Sequence, residues 1–517
     1  MTSSASDFES LSLQVPELEP LDEHNRALAS NVHPADWVNP EPAGRYNLVV
    51  IGAGTAGLVS AAGAASLGAR VALVERRLFG GDCLNVGCVP SKALLRSSRA
   101  IADVRDASAL GIEVPFEAIR VDFPAIMRRM RRLRAGISPH DSVKRFADLG
   151  VDVFLGAGRF AGPDTVEVSG QRLLFSRAVI ATGARAGAPP VPGLSEAGFL
   201  TNENLFSLTS LPRRLGIIGA GPIGCEMAQA FRRFGSEVHL FEAMHGILPR
   251  EDAELSEIVR AALDRDGVRL HCCGKDLKVR REDGTTRLYA TSHEGPLDVE
   301  VDNVLVSAGR VPNLDGLALE AAGVRYNAKG IEVDEYLRTS NPDVYAAGDI
   351  CSAFQFTHAA DAMARIVLKN ALFFGRQKVS DLTIPWCTYT DPELAHVGLT
   401  EEQARSRGMA TTVVRIPMDG VDRAILDGET EGLLKVVLRE GSDRILGATL
   451  VARHAGDLLA ELTLAMTQGI GLGKIASTVH PYPTQSEVAK RAGDAWNRTR
   501  LTPLVKQVLS TILAWRR

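Results

Sequence analysis

Leu48-Val49-Val50-Ile51-Gly52-Ala53-Gly54-Thr55-Ala56-Gly57 is an apolar, β-favouring run that stops at three glycines spaced GxGxxG. An Ala-rich helical stretch follows, then a second apolar run, Val71-Ala72-Leu73-Val74, that closes on Glu75. The order is strand, tight turn, helix, strand. The three glycines serve a sharp turn, a close approach of backbone to a pyrophosphate, and tight helix–strand packing. The helix start offers free N–H groups and a positive dipole end to phosphate. Glu75, placed 23 residues after Gly52, can accept a hydrogen bond from a ribose hydroxyl.

The unit returns 167 residues later. Leu215-Gly216-Ile217-Ile218 leads into Gly219-Ala220-Gly221-Pro222-Ile223-Gly224, and Val238-His239-Leu240-Phe241 closes on Glu242. Residues 47–76 and 214–243 agree at eleven of thirty positions, including all three glycines and the terminal glutamate. This is a duplicated fold unit rather than a short-period repeat, and it reads as two dinucleotide-binding units in one chain. A carboxylate at Glu242 repels a 2′-phosphate, so the second unit is expected to favour NADH over NADPH. Three further strand-to-glycine elements lie outside the repeat: Ala178 to Gly183, Val304 to Arg310, and Val344 to Asp349.

Composition sets the outer limits. The 517 residues carry 45% apolar and 23% charged side chains, ordinary globular usage that excludes wholesale disorder. The net charge of -4 argues against a dedicated nucleic-acid binder. No apolar run reaches the ~18 residues of a membrane helix, and Met1 to Gly44 lacks a basic-then-apolar signal pattern, so no membrane insertion and a cytoplasmic location are expected. Seven cysteines are too few and too scattered for a disulfide scaffold. Residues 1–45, with eight acids and five prolines, read as an acidic extension rather than a folded unit, with a short helix near Leu21 to Ala29.

The most informative stretch is Gly80-Gly81-Asp82-Cys83-Leu84-Asn85-Val86-Gly87-Cys88-Val89-Pro90-Ser91-Lys92. Two residues five apart on a regular helix have Cα atoms about 8–9 Å from each other, beyond disulfide reach. The pair can close only if the backbone leaves the helix between them, which Gly87 permits. Pro90 suits the first turn of a new helix. Cys88 would then stand just before that helix start, where the dipole favours thiolate. A cysteine pair directly after a dinucleotide unit reads as catalytic rather than structural.

With these motifs the chain resembles the flavin-dependent pyridine nucleotide–disulfide oxidoreductases, which include dihydrolipoamide dehydrogenase, glutathione reductase and mercuric reductase. The resemblance runs from Tyr46 to the C-terminus. It implies an α/β fold with two Rossmann-like FAD/NAD(P)-binding domains and a C-terminal α+β dimerisation domain. The expected division is an extension (1–45), a first FAD-binding part (46–190), an NAD(P)-binding domain (191–312), a central second FAD-binding part (313–380) and a dimerisation domain (381–517) of a homodimer. Gly52, Gly54, Gly57 and Glu75 would hold FAD, with Thr182, Gly183, Gly309, Arg310 and Gly348 lining the cofactor sites. Asp349 would bond the flavin ribityl chain and Thr357 would face its pyrimidine end. Gly219, Gly221, Gly224 and Glu242 would hold NAD(P)H, and Lys92 would pair with Glu226 beside the flavin. Hydride would pass from nicotinamide to flavin, which would reduce the Cys83–Cys88 disulfide. Cys88 would touch the flavin and Cys83 would be the exposed thiol that meets a small-molecule disulfide or a thiol-bound metal.

The family's branches part at His480-Pro481-Tyr482-Pro483-Thr484-Gln485-Ser486-Glu487. Disulfide reductases of the family place a histidine five residues before the glutamate, supplied across the homodimer. Here that position is Tyr482, Glu487 is present, and His480 comes two residues early. Thiol–disulfide exchange needs an acid/base near neutral pH, which histidine supplies and a phenol of pKa ≈ 10 does not. Reducing a thiolate-bound metal asks for less proton transfer, and mercuric reductases resemble this chain in having tyrosine there. The leading expectation is therefore a mercuric-reductase-like enzyme. A dihydrolipoamide-dehydrogenase-like enzyme using His480 is the alternative, and a redox-sensing flavoprotein without rapid turnover is one of another class. Two departures stand against the first: the last cysteine is Cys387, so no C-terminal pair delivers metal, and residues 1–45 contain no cysteine. No metal-ligand set is assigned. Cys272-Cys273 reads as packing, the run Arg128 to Arg134 as a solvated helix face, and Cys225 as a small core residue.

Overall fold

A computed structural model describes residues 18–517 apart from 283, 293 and 294. The chain divides into two compact units. The first gathers the described residues up to Ser97 with Arg120–Pro212 and Asn303–Leu382. The second gathers Ser98–Ile119, Arg213–Asp302 and Thr383–Arg517.

In the first unit the apolar runs become strands buried on both faces, as an α/β sheet requires. Arg45–Ile51 lies parallel between Val71–Glu75 and Gln171–Ile180, with Val50 opposite Leu73 on one side and Val179 on the other. Val151–Leu155 flanks Val71–Glu75, and Val344–Ala346 lies parallel to Gln171–Ile180. Ile51 pairs with Ile180, which pairs with Ala346. The Gly52, Thr182–Gly183 and Gly348–Asp349 turns therefore leave the sheet side by side at its carboxyl end, where such sheets bind ligands.

Residues 1–17 of the expected acidic extension lie outside the described residues; 18–45 are folded onto the first unit. Glu23–Val32 is a helix capped by Asp22, and it buries Asn25, Leu28 and Val32. The reason lies in the arginine run, which is solvated only in part: Arg128 and Arg132 are exposed, but Arg131 and Arg134 are not. Arg131 and Arg134 are buried on the same side of the Phe123–Ile137 helix as Met127 and Met130. Arg131 Nε donates to Asp22 at 2.7 Å, and Arg134 donates to Asn25 Oδ1 at 2.7 Å and to the Asn85 carbonyl at 2.5 Å. Asp22 and Asn25 of the N-terminal segment partner guanidinium groups that would be costly to bury alone.

The second unit carries the repeat as three parallel strands, Arg269–His271, Glu237–Phe241 and Arg214–Ile218. A three-stranded antiparallel sheet follows. A five-stranded antiparallel sheet runs from Pro385–Thr388 through Glu393–Gly398, Ile445–Ala452 and Leu433–Arg439 to Thr411–Pro417. Cys225 is buried, its thiol 3.3 Å from the Ala220 carbonyl, as a core residue. Among the described residues no helix is long and apolar enough to cross a membrane.

Candidate active site

Both glycine turns take the same backbone form. Gly52 has φ +105° and Gly219 φ +103°, a region in which a side chain is strained. A Cβ on Gly57 would fall 1.7 Å from the Gly52 carbonyl oxygen, so only glycine lets the helix start so close to the strand end. The acids are set alike. Glu75 accepts from Ala53 N at 2.6 Å and Arg77 N at 2.7 Å; Glu242 accepts from Ala220 N at 2.8 Å and Met244 N at 3.0 Å. Each carboxylate oxygen keeps a lone pair for a ribose hydroxyl.

The cysteine stretch folds as two helices with a break between them. Gly81–Asn85 is one turn, and the Cys88–Asp106 helix begins at Cys88 itself, one residue earlier than the sequence suggests. Gly87 makes the break possible, since a Cβ there would lie 2.8 Å from the Asp82 carbonyl oxygen. The two thiols hydrogen-bond to each other, and Cys88 Sγ lies 3.3 Å from Thr357 Oγ1. Thr357 opens the 16-residue helix Thr357–Leu372, so Cys88 stands at two helix N-termini. The hydrogen bond from Cys83, then the Thr357 hydroxyl and the Lys92 charge, hold the Cys88 thiol low against its desolvation, whereas the same bond and burial push Cys83 up. The charge is therefore favoured on Cys88 over Cys83. Cys88 is exposed and Cys83, inside its helical turn, is half-buried.

Arg310 lies in the first unit, although the sequence placed it in the 191–312 segment, because Arg310–Pro312 pairs antiparallel with Ala184–Ala186. Its guanidinium reaches Asp82 at 2.6 Å and Asp349 at 3.3 Å. Burial raises the pKa of Asp349, and Arg310 opposes that rise. Asn313 braces the neighbouring turn, accepting from Thr182 Oγ1 through its carbonyl at 3.0 Å and donating to the Thr182 carbonyl at 2.9 Å. Sequence reasoning assigned no role to Asp82 or Asn313. Their signal was adjacency, to Cys83 and to Gly309-Arg310.

The C-terminal segment lies in the second unit, as does Glu226, which is buried with Oε1 accepting from Tyr389 N at 3.0 Å. His480 Nδ1 is 3.0 Å from the Thr478 carbonyl and Nε2 is 3.0 Å from Glu461. Both partners are acceptors, so the surroundings favour the protonated ring. Burial works against that cation, but the Glu461 and Thr478 hydrogen bonds outweigh it and raise the pKa. Tyr482 is 70% exposed and donates to Asp422 at 2.8 Å, a bond that raises its pKa and keeps it a phenol. Glu487, at the start of the Glu487–Thr499 helix, has a buried Oε2 without a hydrogen-bond partner.

The pyridine nucleotide-disulphide oxidoreductase family matches residues 46–364, and the dimerisation domain of the same family matches 384–492. This chain belongs to that family. Its fold is accordingly two α/β Rossmann-like domains and a C-terminal α+β dimerisation domain. A mercuric reductase of Bacillus cereus is 35% identical over 448 residues, 86% of this chain and 71% of that protein. A dihydrolipoyl dehydrogenase of Thermus scotoductus is 34% identical over 467 residues, 88% of this chain and 98% of that one. Among solved structures, the HOCl-induced flavoprotein disulfide reductase RclA of Escherichia coli is similar with TM-score 0.77 and 29% identity, covering 86% of this chain and 99% of that one. The protein is an FAD-dependent NAD(P)H:disulfide oxidoreductase of the mercuric reductase and dihydrolipoyl dehydrogenase type.

Proposed function

We propose that this oxidoreductase takes electrons from NADH and delivers them through Cys83 and Cys88 to a thiol-bound metal ion, in the manner of mercuric reductases. Bound FAD would carry the electron pair between the nicotinamide and the cysteine pair. The backbone suits such dinucleotides: a Cβ on Gly221 would meet nothing within 4 Å, and one on Gly54 only the Gly81 Cα, at 3.8 Å. Gly52, Gly54, Gly57 and Glu75 with the Thr182–Gly183, Asp349 and Thr357 turns are the FAD set. Gly219, Gly221, Gly224 and Glu242 are the nicotinamide set, with the Glu242 carboxylate disfavouring a 2′-phosphate. One hydride equivalent, two electrons and a proton, turns a disulfide into a thiolate and a thiol. That product is the state the site favours, with its low Cys88 and high Cys83.

The choice of acceptor rests on the C-terminal segment. His480 has both nitrogens engaged with acceptors, and Tyr482 is a phenol turned to Asp422. Neither suits the proton shuttling of dithiol–disulfide exchange, whereas a metal bound by thiolate needs less of it. RclA, one of the similar structures, has also been solved as a Cu(II) complex. The dimerisation domain supports a homodimer.

Steady-state oxidation of NADH and NADPH against Hg(II)–thiol complexes, lipoamide and glutathione disulfide tests the proposal. Turnover with Hg(II) above that with both disulfides is expected. Faster turnover of lipoamide, abolished by His480→Ala, would establish the dihydrolipoamide reading instead.

A further inference from the structure

The second glycine unit ends in a cluster that the redox pathway does not use. The Glu237–Phe241 strand runs on through Glu242 into Met244, His245 and Gly246, and the adjacent Arg269–His271 strand runs on into Cys272, Cys273 and Gly274. Three backbone hydrogen bonds stitch these ends together: Glu242 N to His271 O, Cys273 N to Met244 O, and Gly274 N to Glu242 O, each 3.0 Å. Neighbours in an extended strand point to opposite faces. Cys273 breaks that alternation by taking φ +57°, a left-handed form uncommon for a residue with a side chain. As a result both sulfurs and His245 Nδ1 or Nε2 converge, with all three ligand atoms within 4.8 Å of one another. Cys273 Sγ lies 3.4 Å from His245 Nδ1. The packing role expected of the two cysteines suits Cys272, which is 6% exposed, but not Cys273, which is only half-buried beside an exposed histidine.

We infer that His245, Cys272 and Cys273 form a binding site for a thiophilic d10 metal ion. Ligands at ordinary metal–sulfur and metal–nitrogen lengths in tetrahedral geometry stand about 3.5–3.8 Å apart, so the cluster needs side-chain adjustments of about an ångström. Two sulfurs and an imidazole select Zn(II), Cd(II), Hg(II) or Cu(I) over Mg(II) or Ca(II). Three protein ligands leave the remaining position to solvent on the exposed His245 side, the arrangement of an exchangeable site rather than a sealed structural one. A divalent ion binding there replaces the two thiol protons, which are released to solvent.

The site also bears on the nucleotide. Glu242 Oε1 accepts from Met244 N, the residue before His245, and the Glu242 carbonyl accepts from Gly274 N, the residue after Cys273. A metal drawing His245 and Cys273 together acts on the turn that aims Glu242. Resting on the reading of Glu242 as the ribose acceptor, metal occupancy weakens nicotinamide-nucleotide binding without touching Cys83 or Cys88.

The test is titration of the oxidised FAD-loaded enzyme with Cd(II), following the ultraviolet thiolate-to-metal band. One Cd(II) per chain is expected, lost in Cys273→Ser, weakened in His245→Ala and kept in Cys83→Ser. His245 is exposed, so its variant reads binding even if Cys272→Ser does not fold. Absence of the band, or a band indifferent to both His245→Ala and Cys273→Ser, overturns the site. Calorimetric binding of NAD+ to the oxidised enzyme then tests the coupling: Cd(II) is expected to raise the Kd in the parent and not in Cys273→Ser, and an unchanged Kd at full Cd(II) occupancy overturns it. The Glu242 reading fails separately, if Glu242→Ala leaves NAD+ affinity intact without metal.

Discussion

The two glycine units are one design used twice, and they part at the second glycine. Their turns share φ values within 2°, and their closing glutamates accept from equivalent backbone N–H groups. Over Gly54 the first unit folds Gly80–Gly81, whose own Cβ on Gly81 would fall 2.7 Å from the Gly54 Cα. Over Gly221 the second unit leaves open space. The first turn is thereby tied to the cysteine stretch that follows it, whereas the second ends in the His245, Cys272 and Cys273 cluster. Duplicated backbone chemistry made both units able to hold a dinucleotide; what was packed against each afterwards decided which one carries the redox pair.

The largest effect that tests this division is on the cysteines. Cys88→Ser is expected to lower NADH-driven acceptor reduction by about 10³-fold or more with FAD content unchanged, because the glycine turn is built independently of the sulfur. A loss of FAD in that variant would break the separation. Next, Gly81→Ala drives a methyl to 2.7 Å from the Gly54 Cα and should cost more than about 3 kcal/mol in urea unfolding. Gly221→Ala meets open space and should cost about 1 kcal/mol or less. Equal costs would mean the two turns are not packed differently. Arg134→Ala, which strands the Asn85 carbonyl and Asn25, should cost about 2 kcal/mol and sharpen the contrast, since this brace serves the first turn.

Smaller shifts follow. Thr357→Ala removes one hydrogen bond to the Cys88 thiolate and should raise its titration by about one pKa unit, read from thiolate ultraviolet absorbance of the reduced enzyme. The sign is that of a depressed pKa. The thiolate's contribution to stability is complete above the unfolded thiol's pKa and is lost as pH falls through the lowered folded value. In Thr357→Ala that loss should be smaller and should be complete at a higher pH. Smallest, Glu242→Gln should reduce the preference in kcat/KM for NADH over NADPH about fivefold, or ~1 kcal/mol. Glu75→Gln should leave that ratio alone. A shift of equal size in both variants would erase the division of cofactors between the units.

Legibility in the sequence followed the range of the interaction. The strand–turn–helix units, the Gly87 break and the helix through Pro90 and Lys92 depend on residues within a few positions and could be read directly. The burial of Arg131 and Arg134 depends on Asp22 and Asn25, more than a hundred residues away, so an arginine-rich helix face read as solvated. The Thr357 contact with Cys88 spans 269 positions, and the Arg310 link to Asp82 spans 228. The pairing of His480 with Glu461 was equally invisible, because one histidine looks like another until its two nitrogens have partners.

By itself the chain's order of residues determined the duplication, the two turns and the placing of two thiols five residues apart, because these follow from backbone sterics and helical periodicity, which act locally. Only tertiary structure decided which thiol keeps the charge, which arginines are buried and which sulfurs gather around His245. Those outcomes are set by desolvation and by hydrogen-bond partners that folding brings from distant positions, and neither exists in the extended chain.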